Sequence, residues 1–195
     1  MVTNILTYLE NSACKFADKT AIADDKNALT FGQWNQYSRK IGTVISQTTG
    51  KALRKPVLVF VDRKIEGLVG FMGVTQSGNF YVPIDCKMPE QRVKLIADVL
   101  SPVAAITVTA KDEKTLDLID FQGARLKYEE VIAAEADDDL LEGIRQQMID
   151  TDPVYSIFTS GSTGVPKGVI ISQRGMVDLA EWLQCFLSMN FHSKP

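Results

Sequence analysis

The chain reads as an α/β fold built on a largely parallel sheet flanked by helices. Two features of the sequence predict it. Short apolar runs of β-favouring residues, such as 57–61 (VLVFV) and 80–84 (FYVPI), alternate with segments of helical periodicity. The joints between them carry turn and stop signals: Pro56, Asp62-Arg63-Lys64, Gly78 and Pro89. No internal repeat or low-complexity linker breaks the pattern.

Residues 4–16 predict a short helix, with Ile5, Tyr8, Leu9 and Phe16 roughly on one side. Ala21-Ile22-Ala23 and Leu29-Thr30-Phe31 predict a hairpin turned at Asp24-Asp25-Lys26-Asn27. Trp34, Tyr37, Ile41, Val44 and Ile45 recur at helical spacing behind Thr30, a candidate cap. Trp34 and Tyr37 are expected in the core. Strand 57–61 is followed by a helix through Ile65, Leu68, Val69 and Met72, then by strand 80–84. Asp85 is expected to serve a turn or cap. Pro89 opens a helix that turns Val93, Ile96, Ala97 and Leu100 inward, and 104–108 is a strand. Residues 110–150 are charged and less regular, with Asp137-Asp138-Asp139 expected as a solvated turn or cap. A strand at 154–158, a loop, a strand at 169–171 and a helix at 176–189 follow. That helix gathers Met176, Leu179, Ala180, Leu183, Phe186 and Leu187 on one face.

Composition narrows the function classes. With 195 residues, 45% hydrophobic and 23% charged, the chain is an ordinary globular sequence. Its 21 basic and 24 acidic residues leave a net charge of −3, which gives no electrostatic case for nucleic acid or a lipid surface. Apolar strings are too short to span a bilayer. Cys14, Cys86 and Cys185 lack disulfide, redox or metal spacing, and no signal peptide is expected from the opening MVTNILTYLENSACKF. A cytoplasmic setting fits. His192 is the only histidine, which argues against a Ser/His/Asp or Cys/His nucleophile system.

The segment 158–168, FTSGSTGVPKG, departs from this rhythm. Thr159, Ser160, Ser162 and Thr163 supply hydroxyls, Gly161 and Gly164 leave backbone N–H groups unobstructed, and Lys167 adds a cation. Such a set suits a phosphate cradle, and equally a flexible surface linker. It is not the common P-loop, because Gly168 rather than Ser or Thr follows the lysine. That placement argues against a P-loop kinase or GTPase.

The segment 155–169, YSIFTSGSTGVPKGV, resembles the signature of the adenylate-forming superfamily, which holds acyl-CoA synthetases, luciferases, amino-acid adenylation domains and D-alanine–carrier protein ligases. The segments 29–42 (LTFGQWNQYSRKIG) and 73–93 (GVTQSGNFYVPIDCKMPEQRV) resemble upstream motifs of the same group, the second in the form typical of amino-acid-activating members. The resemblance implies ATP as cosubstrate with Mg2+, a carboxylic or amino acid as substrate, and an acyl-adenylate intermediate. It implies transfer to the thiol of a carrier protein or coenzyme A. It assigns the ATP phosphates to Thr159, Ser160, Gly161, Ser162, Thr163, Gly164 and Lys167, with Lys167 in the catalytic role. Gln173 stands where many relatives have histidine.

Residues 1–195 are then expected to form the first part of a large N-terminal AMP-binding domain. Later motifs for adenine, ribose and Mg2+, and a small C-terminal domain with its own lysine, do not appear in the sequence. The Mg2+ ligands are expected outside this chain, and no metal site is expected within it. By itself the chain is expected to be inactive and to self-associate. The alternative is a non-catalytic nucleotide-binding or interaction module that retains the fold.

Overall fold

The computed structural model describes the backbone of residues 2–159 and 167–191, with side chains through residue 186. Helix α1 (Leu6–Lys15) precedes a two-stranded antiparallel hairpin, β1 (Thr20–Ala23) and β2 (Ala28–Thr30). Asp24 makes the turn, its carboxylate accepting from the N–H groups of Lys26 and Asn27 at 2.8 Å each. Helix α2 (Phe31–Thr48) begins on the last residue of the expected return strand, because Thr30 is its cap. Thr30 Oγ1 accepts from Gln33 N at 3.2 Å and Gln33 Oε1 accepts from Thr30 N at 2.9 Å. This reciprocal box satisfies two backbone donors and contributes about 1 kcal/mol.

The main sheet holds β3 (Pro56–Val61), β4 (Phe80–Asp85), β5 (Ala104–Thr107), β6 (Ala124–Lys127), β7 (Pro153–Thr159) and β8 (Lys167–Ser172). Their order is β6-β5-β3-β4-β7-β8, all neighbours parallel except β7 and β8. Helices α3 (Ile65–Gln76), α4 (Glu90–Leu100), α5 (Ala110–Leu118), α6 (Tyr128–Ala133), α7 (Asp138–Arg145) and α8 (Gln173–Phe191) complete the described chain. The predicted α/β architecture is what the chain adopts.

Strand β3 shows why its residues run continuously apolar. Val57 and Val59 pack into one cluster with Ile41 and Ile45 of α2 and Val69 and Val74 of α3. Leu58 and Phe60 point the other way, into a second cluster with Val93 and Ile96 of α4 and Leu116 of α5. A central parallel strand covered on both faces has no polar side to show. Each such side chain contributes roughly 1.5–3 kcal/mol by leaving water. Helices α2 and α3 cross closely at Gly73, where an added Cβ would lie 2.4 Å from Ile41 Cγ2. Trp34 and Tyr37 are half-buried against the first cluster, as expected of core residues.

One stretch departs from the sequence expectation. Residues 110–150 are regular: α5, β6, α6 and α7 fill most of them. Asp137 caps α7, accepting from Leu140 N at 2.9 Å, and Asp138 pairs with Arg39 at 2.8 Å. Among the described residues no helix is long and apolar enough to cross a membrane.

Candidate functional site

The candidate site is the junction between β7 and β8. Strand β7 lies parallel beside β4, with Tyr81 level with Tyr155, so its end at Thr159 emerges on the sheet edge where β4 ends at Asp85. In open parallel sheets that carboxyl edge is where ligands bind. Strand β8 returns antiparallel, and the register sets Thr159 opposite Lys167 and Phe158 opposite Gly168. Both flanking residues are exposed, and Thr159 Oγ1 lies 3.5 Å from Lys167 O. Of the residues assigned from sequence, Thr159 and Lys167 are therefore brought together at one mouth. Ser160, Gly161, Ser162, Thr163 and Gly164 lie outside the described residues.

The base of the junction is fixed from three sides. The Phe158 ring covers Gly168 so closely that an added Cβ would sit 2.8 Å from its tip. Phe158 also packs against the second core cluster. Arg92, in the first turn of α4, donates from Nη2 to Phe158 O at 3.2 Å. The composition of the loop gave no hint of Arg92, although the Pro89–Arg92 spacing carries it to this edge.

The other end of β7 is anchored as firmly. Asp152 is buried and accepts from Arg54 Nε at 2.7 Å and from Ile149 N at 3.0 Å, while its carbonyl accepts from Gln173 N at 2.8 Å. Gln173 is fully buried at the start of α8 and accepts from Ile5 N at 3.0 Å. This residue ties the segment before α1 to α8.

Electrostatics at the carboxyl edge are mixed. Lys167 forms no ion pair with a carboxylate among the described residues. Asp85 makes a turn, accepting from Lys87 N at 2.7 Å. Cys86 donates its thiol to Asp62 Oδ1 at 3.2 Å, and that carboxylate pushes the thiol pKa up. Among the described residues no group of three His, Cys, Asp or Glu side chains gathers to hold a metal ion. A cleft of about 620 Å³ lies at the opposite edge of the sheet, lined by Thr48, Ser101 and Phe121 among others.

A parallel sheet of this order, ending in a hairpin with a hydroxyl- and glycine-rich connection and a lysine on its return strand, defines a class. The chain matches the family model described as AMP-binding enzyme over residues 9–193, and it belongs to that family. Its resemblance to the adenylate-forming superfamily is thereby borne out. A mycosubtilin synthase polypeptide of Bacillus subtilis is 30% identical over 175 residues, covering 90% of this chain and 6% of that protein. The D-alanine–D-alanyl carrier protein ligase of Lacticaseibacillus casei (strain BL23) is 26% identical over 182 residues, covering 93% of this chain and 35% of the ligase. A fatty acyl CoA synthetase of Mycobacterium tuberculosis shares the fold, with a TM-score of 0.73 at 21% identity over 88% of this chain and 35% of that one. The chain thus spans about a third of the ligase and of the synthetase, and a smaller share of the mycosubtilin synthase.

Proposed function

We propose that this chain is the first part of the large AMP-binding domain of an ATP-dependent carboxylate ligase, and that the β7–β8 junction handles the ATP triphosphate. The observation that carries this reading is the strand register that sets Lys167 opposite Thr159 at the carboxyl edge of the parallel strands. A loop closed by a strand pair at its base holds its ends at fixed separation, which is what a pre-organised anion cradle requires.

In the reaction, a substrate carboxylate attacks the α-phosphorus of ATP, giving an acyl-adenylate and pyrophosphate. The hydroxyls of Thr159, Ser160, Ser162 and Thr163 and the backbone N–H groups at Gly161 and Gly164 donate to β- and γ-phosphate oxygens. Lys167 meets the charge that builds on the departing pyrophosphate. Donors already aimed at that charge lower the barrier without reorganising. Mg2+ would accompany ATP and offset its phosphate charge, with its protein ligands expected outside this chain. The acyl group then passes to a thiol, on a carrier protein or coenzyme A. Similarity to mycosubtilin synthase and to D-alanine ligases favours an amino acid as substrate and a carrier protein as acceptor. Three widely spaced cysteines favour a reducing, cytoplasmic setting.

The test is carboxylate-dependent exchange of labelled pyrophosphate into ATP, run with a panel of amino acids and small acids. The intact protein that carries this chain exchanges with at least one acid. The 195-residue chain alone is inert, because one wall of the site cannot position all the reacting groups. An intact protein that binds ATP but is inert across the panel is a nucleotide-binding module instead.

A further inference from the structure

The segment 73–93 resembles a family motif, yet nothing in the triphosphate reading uses its charged end. The structure brings that end to the loop. Strand β4 finishes at Asp85, a turn held by the Asp85 carboxylate follows, and α4 begins at Glu90 directly after Pro89. Because β7 is the neighbour of β4, the first turn of α4 stands beside the end of β7. Arg92 is half-buried there, and its Nη2 donates to Phe158 O, the last carbonyl before Thr159.

We propose that Arg92 is the positioning residue of the two strand limbs of the β7–β8 junction, Phe158–Thr159 and Lys167–Gly168, a role that rests on the function proposed above. Three observations converge on it. Its bond partner is backbone, so the contact constrains where the chain runs into the loop rather than one side chain. The anchored residue is the one whose ring covers Gly168 and packs on the second core cluster, so the bond also fixes the limb that carries Lys167. Among the described residues Arg92 forms no ion pair with a carboxylate, so no direct partner neutralises its charge at this edge, where Asp62, Asp85 and Glu90 also stand. A guanidinium presents several N–H groups in a rigid fork, and one bond to a carbonyl leaves others to face an anion.

The experiment measures amide hydrogen exchange at residues 158–159 and 167–169, and the affinity for ATP and for tripolyphosphate. It compares the intact protein with Arg92→Ala, Arg92→Lys and Lys167→Ala. Arg92→Ala speeds exchange at both limbs and weakens both ligands about tenfold, the scale of one hydrogen bond involving a charged group. Arg92→Lys recovers only part of the affinity, because an ammonium can donate to the same carbonyl but lacks the rigid fork. The thermal midpoint of Arg92→Ala stays close to that of the unsubstituted protein, which separates a local effect from misfolding. Unchanged exchange at both limbs overturns the proposal, and so does faster exchange with unchanged affinity. Should Lys167→Ala weaken ATP while Arg92→Ala does not, the triphosphate reading stands and the role of Arg92 falls. An unsubstituted protein that binds neither ATP nor tripolyphosphate removes both.

Discussion

Gly168 lies under the ring of Phe158, and no larger residue fits there without moving the ring. Gly168→Ala is expected to destabilise the protein by about 1–3 kcal/mol, the usual cost of overpacking, and to weaken ATP as the junction spreads. Thermal unfolding of Gly168→Ala and of Gly168→Ala with Phe158→Leu checks this: the smaller side chain at 158 should recover part of the loss. A second residue prediction concerns Cys86. The Asp62 carboxylate beside it favours the protonated thiol, so at a given pH less of it is thiolate than in an unperturbed cysteine. Alkylation of Cys86 should therefore rise with pH at a higher midpoint than for a free thiol, and Asp62→Asn should shift that midpoint down and speed the reaction near pH 8. An unchanged profile would show that the hydrogen bond does not set the reactivity. At this scale the sequence pointed to the junction that the strand register forms, and Thr159 and Lys167 are the two assigned residues the structure describes. Thr159 and Lys167 stood out because hydroxyls, glycines and one lysine interrupt an apolar pattern. Arg92 did not, because its role depends on a strand neighbour 66 positions away.

Among the elements, β7 is the one the candidate site depends on, and it is held at both ends. Its lower end hangs on Asp152, which is buried and paired with a half-exposed Arg54. Arg54→Ala would leave that carboxylate without its cation. The expected loss is on the order of 2 kcal/mol, below the full buried-pair value because Arg54 itself is partly in water. Denaturant unfolding measures it, and a loss below a few tenths of a kcal/mol would mean that Asp152 is served by its backbone partners alone. Elements were legible where a long period ran clean, as in α2, β3 and α4. They were illegible between 110 and 150 for a physical reason. Strand β6 is an Ala-Arg-Leu-Lys edge strand that buries only Leu126, and α6 is six residues long. Neither carries enough periodic apolar sequence to announce itself, and both are fixed by packing on neighbours: Leu126, Tyr128 and Val131 all join the first core cluster. The antiparallel return of β8 was likewise silent in composition, since a hairpin and a crossover differ in connection and not in strand residues.

For the molecule as a whole, the uncovered surface is the telling feature. Val169 and Ile170 on β8 and Leu179, Trp182 and Leu183 on α8 are all exposed. Among the described strands β8 pairs only with β7, so its outer edge is open. An open strand edge beside exposed apolar side chains favours association. The 195-residue chain should therefore show a concentration-dependent mass in sedimentation, and Trp182→Glu should reduce it. A monomer across a wide concentration range, with or without the substitution, would contradict that. Under the proposed function, activity belongs to a longer protein, since the chain spans about a third of the D-alanine ligase it matches. The most direct test of that assignment is pyrophosphate exchange in the intact protein with Lys167→Ala, at saturating acid and varied ATP. The variant should exchange slowly, by about tenfold to a hundredfold, with the KM for the acid unchanged, because the lysine meets charge on the leaving group and not on the acid. Exchange at the unsubstituted rate with an unchanged KM for ATP would show that the β7–β8 junction does not hold the triphosphate.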